Sequence, residues 1–258
     1  MFKDILLPLP AYPKAAPRPA LRRALDAVRV MEAHVTCLVA EPTIPLPVAF
    51  HPYSAELERQ LDTRQAEVHK TAEAELTAFM DEAHRAGLSH EGRLVTLPDG
   101  GWDALVEHAR LRDLTVVPSV AGDEAHADLV QALVFESGRP VLLLPEGGGD
   151  FRLDRIVVAW DFGRAAARAV GDALPLLKRA KEVRVVTVTD KQPPASASGP
   201  EFTAHLARNG VEATLEEIEL GRHTVGEALD HAAGDADLMV MGAFGHSRIR
   251  AFFLGGAT

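Results

Sequence analysis

The residues near the end of the chain have the types and the spacing that could hold a phosphate group. Gly242 and Gly245 follow residues 237–241, a short apolar run typical of a buried parallel strand. A second glycine pair, Gly255 and Gly256, comes later. Because glycine has no Cβ, the backbone N–H groups of such a segment can approach an anion closely, and a helix starting after Gly256 would add partial positive charge. The segment therefore predicts a phosphate-binding loop.

Two earlier apolar runs of the same half end in residues that could hold the rest of a nucleotide. Ala159 and Asp161 stand at the end of one run, and Val188 stands at the end of the next. In open parallel sheets, ligands bind outside the carboxyl ends of the strands, where the strand order reverses. Asp161 could accept hydrogen bonds from a base amino group or a ribose hydroxyl, or it could cap a helix that begins near Gly163. Both roles are open to one residue.

The spacing Gly-x2-Gly-x9-Gly after a strand resembles the nucleotide-binding signature of the universal stress protein family. That family usually has serine or threonine after the last of these glycines, whereas this chain has Gly256 there and Thr258 beyond it. The resemblance implies an adenine nucleotide (ATP, ADP or AMP), with Mg²⁺ as an optional companion. It implies that Ala159 and Asp161 hold the nucleotide and that the Val188 backbone lies beside the base. The residues expected around the phosphates are Gly242, Gly245, His246, Gly255, Gly256 and Thr258.

The chain contains two copies of one pattern. Residues 5–9 match 156–160 as first strands, and residues 113–117 align with 237–241. Shortly before residues 113–117 and 237–241, each copy has apolar residues at i, i+3, i+4 and i+7, a pattern typical of an amphipathic helix. These residues are Trp102, Leu105, Val106 and Ala109 in the first copy and Val225, Ala228, Leu229 and Ala232 in the second.

Strands that alternate with amphipathic helices predict a parallel sheet wound on both sides. We therefore expect two tandem doubly wound α/β domains of the Rossmann-like class, residues 1–146 and 151–258, joined at a glycine run. The family resemblance implies the same class, the adenine nucleotide alpha hydrolase-like fold.

Only the second copy keeps the nucleotide motif. In the first, residues 118–124 stand in place of the glycine loop, and Pro10 or Ala11 stands in place of Asp161. Proline lacks an N–H group, and the two acidic residues at the end of the 118–124 segment would repel phosphate. The first copy is therefore predicted to be nucleotide-free, which leaves one site per chain.

The first copy also carries an insertion. Residues 41–53 contain four prolines, which argues against regular structure there. Residues 55–86 then predict a helix about 45 Å long, which is either a packing element or a lid or partner surface. Its apolar face consists of Leu57, Leu61, Val68, Ala72, Leu76, Phe79 and Ala83. The second copy has a Pro/Ala/Ser stretch instead, residues 193–200, which reads as a loop.

Composition excludes several classes of function. A net charge of −10 argues against sequence-independent binding to nucleic acid or to anionic membranes. The single cysteine, Cys37, excludes an internal disulfide and lies in an apolar run that predicts a core position. His205, His223 and His231 lack metal-ligand spacing, so no metal site is predicted. The N-terminal apolar run is too short for a signal peptide, and we expect a cytoplasmic protein.

The sequence leaves activity and assembly open. It has neither the lysine-containing P-loop of nucleotidases nor a Gly-x-Ser-x-Gly elbow, so we expect at most slow ATP hydrolysis. The leading interpretation is a nucleotide-binding regulator of the stress response; the alternatives are a slow nucleotide hydrolase and a non-binding interaction scaffold. The second copy stops before the equivalent of strand 141–144. Either the chain continues beyond Thr258 or another chain completes the sheet, and we expect a homodimer or an intramolecular pseudo-dimer.

Overall fold

A computed structural model of the chain describes residues 2–11, 15–44, 54–98, 101–119, 124–145, 149–189 and 198–243. The chain divides into two compact units, and the division falls between Asp150 and Phe151. Each unit is a parallel sheet with helices between successive strands, so the expected fold class is confirmed.

The first unit has a five-stranded sheet in the order β3-β2-β1-β4-β5, with every neighbouring pair parallel. Its elements in chain order are β1 (Asp4–Pro10), α1 (Arg18–Met31), β2 (His34–Pro42), α2 (Ser54–Arg85), β3 (His90–Leu97), α3 (Asp103–Arg110), β4 (Leu114–Pro118), α4 (Glu124–Glu136) and β5 (Val141–Leu144).

The second unit has a four-stranded parallel sheet in the order β8-β7-β6-β9 among the described residues. Its elements are β6 (Arg155–Ala159), α5 (Arg164–Leu177), β7 (Glu182–Thr189), α6 (Gly199–Arg208), β8 (Thr214–Glu219), α7 (Val225–Ala232) and β9 (Leu238–Val240). Right-handed crossovers place α5 and α6 on one face of this sheet and α7 on the other.

Two aspartates at equivalent positions show that the units repeat each other. The Asp113 carboxylate accepts hydrogen bonds from the backbone N–H groups of Lys3 and Asp4, at 2.8 and 3.1 Å. The Asp237 carboxylate accepts one from the N–H of Arg155 at 2.8 Å. Each aspartate thus ties the start of the fourth strand of its unit to the start of the first strand. The predicted alignment of residues 113–117 with 237–241 is confirmed.

The core follows the alternation that parallel strands impose. Val157 and Val186 point to one face of the second sheet, where they pack against Leu229 and Ala232 of α7. The predicted apolar stripes of α3 and α7 are buried at three of their four positions. Cys37 is fully buried, and burial raises the pKa of its thiol well above the usual value, so its predicted core position is confirmed.

Helix α2 spans 32 residues, close to the predicted bounds, which gives it a length of about 48 Å. Its later turns pack against the unit, since Val68, Ala72, Phe79 and Ala83 are buried. The prediction of one continuous apolar face is wrong for the first turns, where Leu57 is 36% exposed. That part of the helix extends beyond the sheet that the later turns cover.

Three prolines that were expected in loops, Pro42, Pro118 and Pro200, lie inside regular elements instead. Strand β2 continues through Glu41 to Pro42, and the next backbone N–H, that of Thr43, still donates to Leu97 O at 3.0 Å. Pro118 is likewise the last residue of β4. Pro200 lies in the first turn of α6, where a missing N–H costs nothing because it has no helical acceptor. At these ends of a strand or helix a missing N–H is tolerated.

A buried carboxylate, Glu75, interrupts the apolar stripe of α2. One of its oxygens pairs with Arg18 of α1 at 3.1 Å, whereas Oε2 is buried with no hydrogen-bond donor among the described residues. Burial raises the pKa of Glu75, and the Arg18 charge only partly offsets this effect. Ionisation of this carboxyl therefore opposes folding.

We expect Glu75→Gln to gain stability relative to the parent protein as the pH rises. Folding raises the pKa of the Glu75 carboxyl above the value of the unfolded chain, which is near 4.5. The carboxyl therefore contributes fully to stability below pH 4.5, and this contribution is lost as the pH rises through the pKa of the folded state. The amide has no such titration. Urea unfolding at pH values on both sides of this window measures the difference, and the exposed Glu58 of α2, changed to Gln, is the control. A difference that is constant with pH would contradict the prediction.

Candidate functional site

The carboxyl ends of three neighbouring strands form the candidate site in the second unit. Strand β6 lies between β7 and β9, and Ala159 is its last residue. Val188 lies near the end of β7, and Gly242 follows β9 closely. The chain leaves β6 towards β7 on one side and later returns to β9 on the other side. The carboxyl ends of these three strands, called the switch-point edge below, are therefore where doubly wound sheets bind ligands.

Asp161 lies in the turn that joins β6 to α5. Its carboxylate Oδ1 accepts a hydrogen bond from the Gly163 N–H at 2.7 Å, and Phe162 between them has a left-handed backbone with φ 57°. Gly163 itself is the N-cap residue of α5, so Asp161 fixes the turn before the helix rather than capping it. Asp161 is exposed, and its second oxygen can still accept hydrogen bonds.

Gly242 lies against the first turn of α5. A Cβ built on Gly242 would lie 2.5 Å from the carbonyl carbon of Ala165 and closer still to the amide nitrogen of Ala166. Both are backbone atoms, which cannot move aside cheaply. Glycine at this position therefore allows the segment after β9 to pass directly over the N-terminus of a helix.

The N-terminus of α5 has positive charge that no neighbouring side chain in the first turn compensates. It has no side-chain cap and no acidic residue in its first turn. The next two helices differ, because Glu201 in α6 and Glu227 in α7 complete capping boxes with Ser198 and Thr224. Free N–H groups and the helix dipole favour a bound anion at such an end.

The two apolar residues of the predicted site face the core. Val188 is the last residue but one of β7, because the β7–β8 ladder continues to Thr189. The side chains of Ala159 and Val188 both pack on the cluster beneath α7. Their side chains are thus turned towards this cluster, and a ligand at this edge would meet their backbone groups.

An aromatic cluster that was not predicted from the sequence lies beside Asp161. The Trp160 and Phe202 rings stack with centroids 3.7 Å apart and planes 5° apart, and Phe162 meets the indole edge-on at 5.8 Å. His205 extends the stack from Phe202, with centroids 6.5 Å apart. Phe202 and His205 lie on α6, and only their spacing of three residues on a helix could have indicated that they share a face.

The other predicted phosphate-binding residues lie outside the described part of the chain. They are Gly245, His246, Gly255, Gly256 and Thr258. Of the nine predicted site residues, the structure therefore brings four to the same sheet edge: Ala159, Asp161, Val188 and Gly242.

The equivalent edge of the first unit lacks the two residues that define the site. The His34 N–H donates to Lys3 O in the first unit, and the Glu182 N–H donates to Asp154 O in the second. These matching hydrogen bonds make Lys3 and Asp154 equivalent positions, which serve as the anchor for aligning the two sequences. Counted from this anchor, Pro10 occupies the position of Asp161. Counted from the equivalent aspartates at the start of β4 and β9, Pro118 occupies the position of Gly242.

Metal-binding clusters and membrane-spanning helices are both absent from the described residues. No three or more His, Cys, Asp or Glu side chains there cluster closely enough to hold a metal ion. None of the helices in the same ranges combines the length and apolar character that a membrane span requires.

Comparison with known proteins gives a family match for the second unit. The sequence profile of the universal stress protein family matches residues 152–258, which is the second unit. None of the curated proteins matches this sequence.

Solved structures extend the likeness to the fold of the whole chain. A universal stress protein from Archaeoglobus fulgidus aligns with a TM-score of 0.71 and 15% identity, over 98% of this chain and 96% of that one. Protein PA1789 from Pseudomonas aeruginosa, described as functionally unknown, aligns with a TM-score of 0.56 and 15% identity, over 98% and 90%. At such identities the likeness shows the fold alone.

A universal stress protein from Arabidopsis thaliana, solved with AMP bound, aligns with a TM-score of only 0.36 and 18% identity, over 57% of this chain and 93% of that one. This third alignment is too weak to carry an argument about the ligand. The profile match and the two-unit fold together confirm the resemblance found in the glycine spacing. The second unit of the chain, residues 152–258, thus matches the universal stress protein family by its sequence profile, and the whole chain is similar to a universal stress protein in its fold.

Proposed function

We propose that this protein binds one adenine nucleotide per chain, in its second unit, and acts as a regulator of the stress response. The observation that carries the proposal is the meeting of Asp161, Gly242 and the N-terminus of α5 at one switch-point edge. These groups offer a carboxylate for hydroxyl or amino donors and a bare backbone with positive charge for phosphates.

Each part of a nucleotide has a counterpart at this edge. The free oxygen of Asp161 would accept a hydrogen bond from a ribose hydroxyl or from the base amino group. The backbone of Val188 would lie beside the base, since its side chain is packed in the core. The phosphates would lie over the first turn of α5, where Gly242 begins the glycine-rich segment that continues through Gly245 and Gly255.

The first unit is proposed to bind no nucleotide. Pro10 cannot accept hydrogen bonds through a side chain as Asp161 can. Pro118 has no N–H to offer a phosphate, and it is held in β4 opposite Leu144. The expected stoichiometry is therefore one and not two.

Several finer features belong to the same proposal. The nucleotide is ATP, ADP or AMP, with Mg²⁺ as an optional companion to the phosphates. The protein acts in the cytoplasm and forms a homodimer or an intramolecular pseudo-dimer, for which β5 offers an outer edge unpaired among the described strands. Hydrolysis, where it occurs, is slow, because the sequence has no P-loop lysine.

Titration calorimetry with ATP, ADP and AMP, each with Mg²⁺ and with a chelator, tests this proposal. We expect one site per chain and no binding after Gly245→Val, since a branched side chain would stand where the phosphates approach the backbone. Gly101→Val is the matched control, because Gly101 is exposed and its Cβ would touch only the Asp103 side chain at 3.9 Å. Two equivalent sites, or full affinity in Gly245→Val, would refute the proposal.

A further inference from the structure

One buried hydrogen-bond donor at the candidate site has no acceptor within the described part of the chain. The indole Nε1 of Trp160 is shielded from solvent, yet none of the described residues accepts a hydrogen bond from it. The indole nitrogen is a donor only, so it cannot be satisfied by a neighbouring N–H group. A buried donor that is left unpaired destabilises the folded state, because it has lost its hydrogen bonds to water.

The aromatic cluster fixes the indole in this orientation. Phe202 covers one face of the ring in a nearly parallel stack, and Phe162 meets it edge-on. The backbone is fixed as well, because the Trp160 N–H donates to Val186 O at 2.8 Å and so continues the β6–β7 ladder. The side chain therefore cannot easily turn to find an acceptor elsewhere.

A second buried polar atom without a partner lies on the neighbouring strand. Val157 and Ala159 face α7, so the next residue, Trp160, faces the α5 and α6 side of the sheet. Val186 and Val188 also face α7, which places Thr187 on the same side as Trp160. The hydroxyl of Thr187 is buried and has no hydrogen-bond partner among the described residues. Two unsatisfied polar groups thus share one face at the end of adjacent strands.

We infer that Trp160 is a nucleotide-binding residue, whose indole N–H donates a hydrogen bond to an acceptor atom on the base or ribose of the bound nucleotide. This inference rests on the proposed function, because Trp160 directly precedes Asp161 at the same strand end. Adenine ring nitrogens and ribose oxygens are the acceptors that a donor-only group needs, and the aromatic stack gives the indole its orientation before binding.

The first unit is consistent with this role. Counted from the same anchor as before, Leu9 occupies the position of Trp160, and it is completely buried. A leucine there has no donor to satisfy. The donor is thus found in the unit that carries Asp161 and Gly242, and the equivalent position of the other unit is apolar.

Nuclear magnetic resonance tests the hydrogen bond directly. The chain has two tryptophans, so a ¹⁵N-labelled sample gives two indole N–H signals, which Trp102→Phe and Trp160→Phe assign. During titration of the wild-type protein with AMP, we expect the Trp160 indole proton to move downfield and the Trp102 signal to stay in place. A Trp160 signal that is unmoved, or that moves upfield, overturns the inference. The variants serve only for the assignment, for which either one suffices, and the titration itself is read on the wild-type protein.

Affinity gives the second measurement. Trp160→Phe keeps an aromatic ring against Phe202 but removes the N–H, and we expect AMP to bind about fivefold to tenfold more weakly. Trp102→Phe, the same change in the first unit, should bind as the wild type does. Unchanged affinity in Trp160→Phe, with a wild-type protein that binds AMP, overturns this inference alone. A wild-type protein that binds no AMP, ADP or ATP overturns the proposed function together with the inference.

Discussion

Gly242→Ala is expected to lose nucleotide binding by at least tenfold and to destabilise the second unit by about 1–3 kcal/mol. The added methyl group would overlap the backbone of Ala165 and Ala166 in the first turn of α5. Relief requires β9 and α5 to separate, and this movement would take the glycine-rich segment away from the helix N-terminus. Binding and stability should therefore fall together, which calorimetry and thermal unfolding measure.

A matched substitution separates this effect from a general effect of alanine. Gly171 is exposed on α5, and a Cβ there would meet nothing within 4 Å. Gly171→Ala should keep full affinity and gain up to about 1 kcal/mol of stability, because alanine favours the helix more than glycine does. If Gly242→Ala bound nucleotide with normal affinity, the phosphates could not lie over the first turn of α5.

Most of the fold could be predicted from the sequence, because most strands are buried on both faces. Strands β1, β4 and β6 are nearly continuous apolar runs, and such runs are visible without any knowledge of their neighbours. Strand β5 was predicted with its observed bounds for the same reason. The amphipathic stripes then located α2, α3 and α7 between the strands.

Two of the outer strands, β3 and β8, were not predicted, because pairing and not burial determines them. Strand β8, of sequence TLEEIE, is mostly exposed, and β3 alternates between exposed and partly buried residues. Each is held by its ladder to a neighbouring central strand, β7 or β2. Short polar strands of this kind resemble loops in a sequence, since the partner that makes them strands lies far away in the chain.

The candidate site could be predicted only for residues whose role is indicated by their own type and by the strand just before them. An aspartate after one apolar run and a glycine after a later one, residues 237–241, indicated Asp161 and Gly242. The stack between Trp160 and Phe202 joins a strand end to a helix 42 residues further on, and no local pattern encodes such a contact. The same limit applied to the capping box that begins α6, because the proline-rich composition before it predicted a loop.

Asp161→Ala is expected to weaken nucleotide binding about tenfold to a hundredfold. The ligand would lose a hydrogen bond to a charged acceptor, which contributes about 1.5–3 kcal/mol. Asp172→Ala is the control, since it removes a carboxylate of α5 that is engaged with Arg168 at 2.8 Å. Calorimetry of both variants with ATP and AMP measures the difference.

Gly163→Ala should give part of the Asp161→Ala loss without removing the carboxylate. A Cβ on Gly163 would lie 2.7 Å from Asp161 Oδ1, so the carboxylate would have to move, whereas the backbone of Gly163, at φ −84°, suits alanine. The direction of the change in affinity in Asp161→Ala and Gly163→Ala distinguishes two roles for the carboxylate. If Asp161 acted on the nucleotide only through its charge, its removal would strengthen the binding of anionic phosphates. Weaker binding in both variants is expected only if the placed carboxylate accepts a hydrogen bond from the ligand.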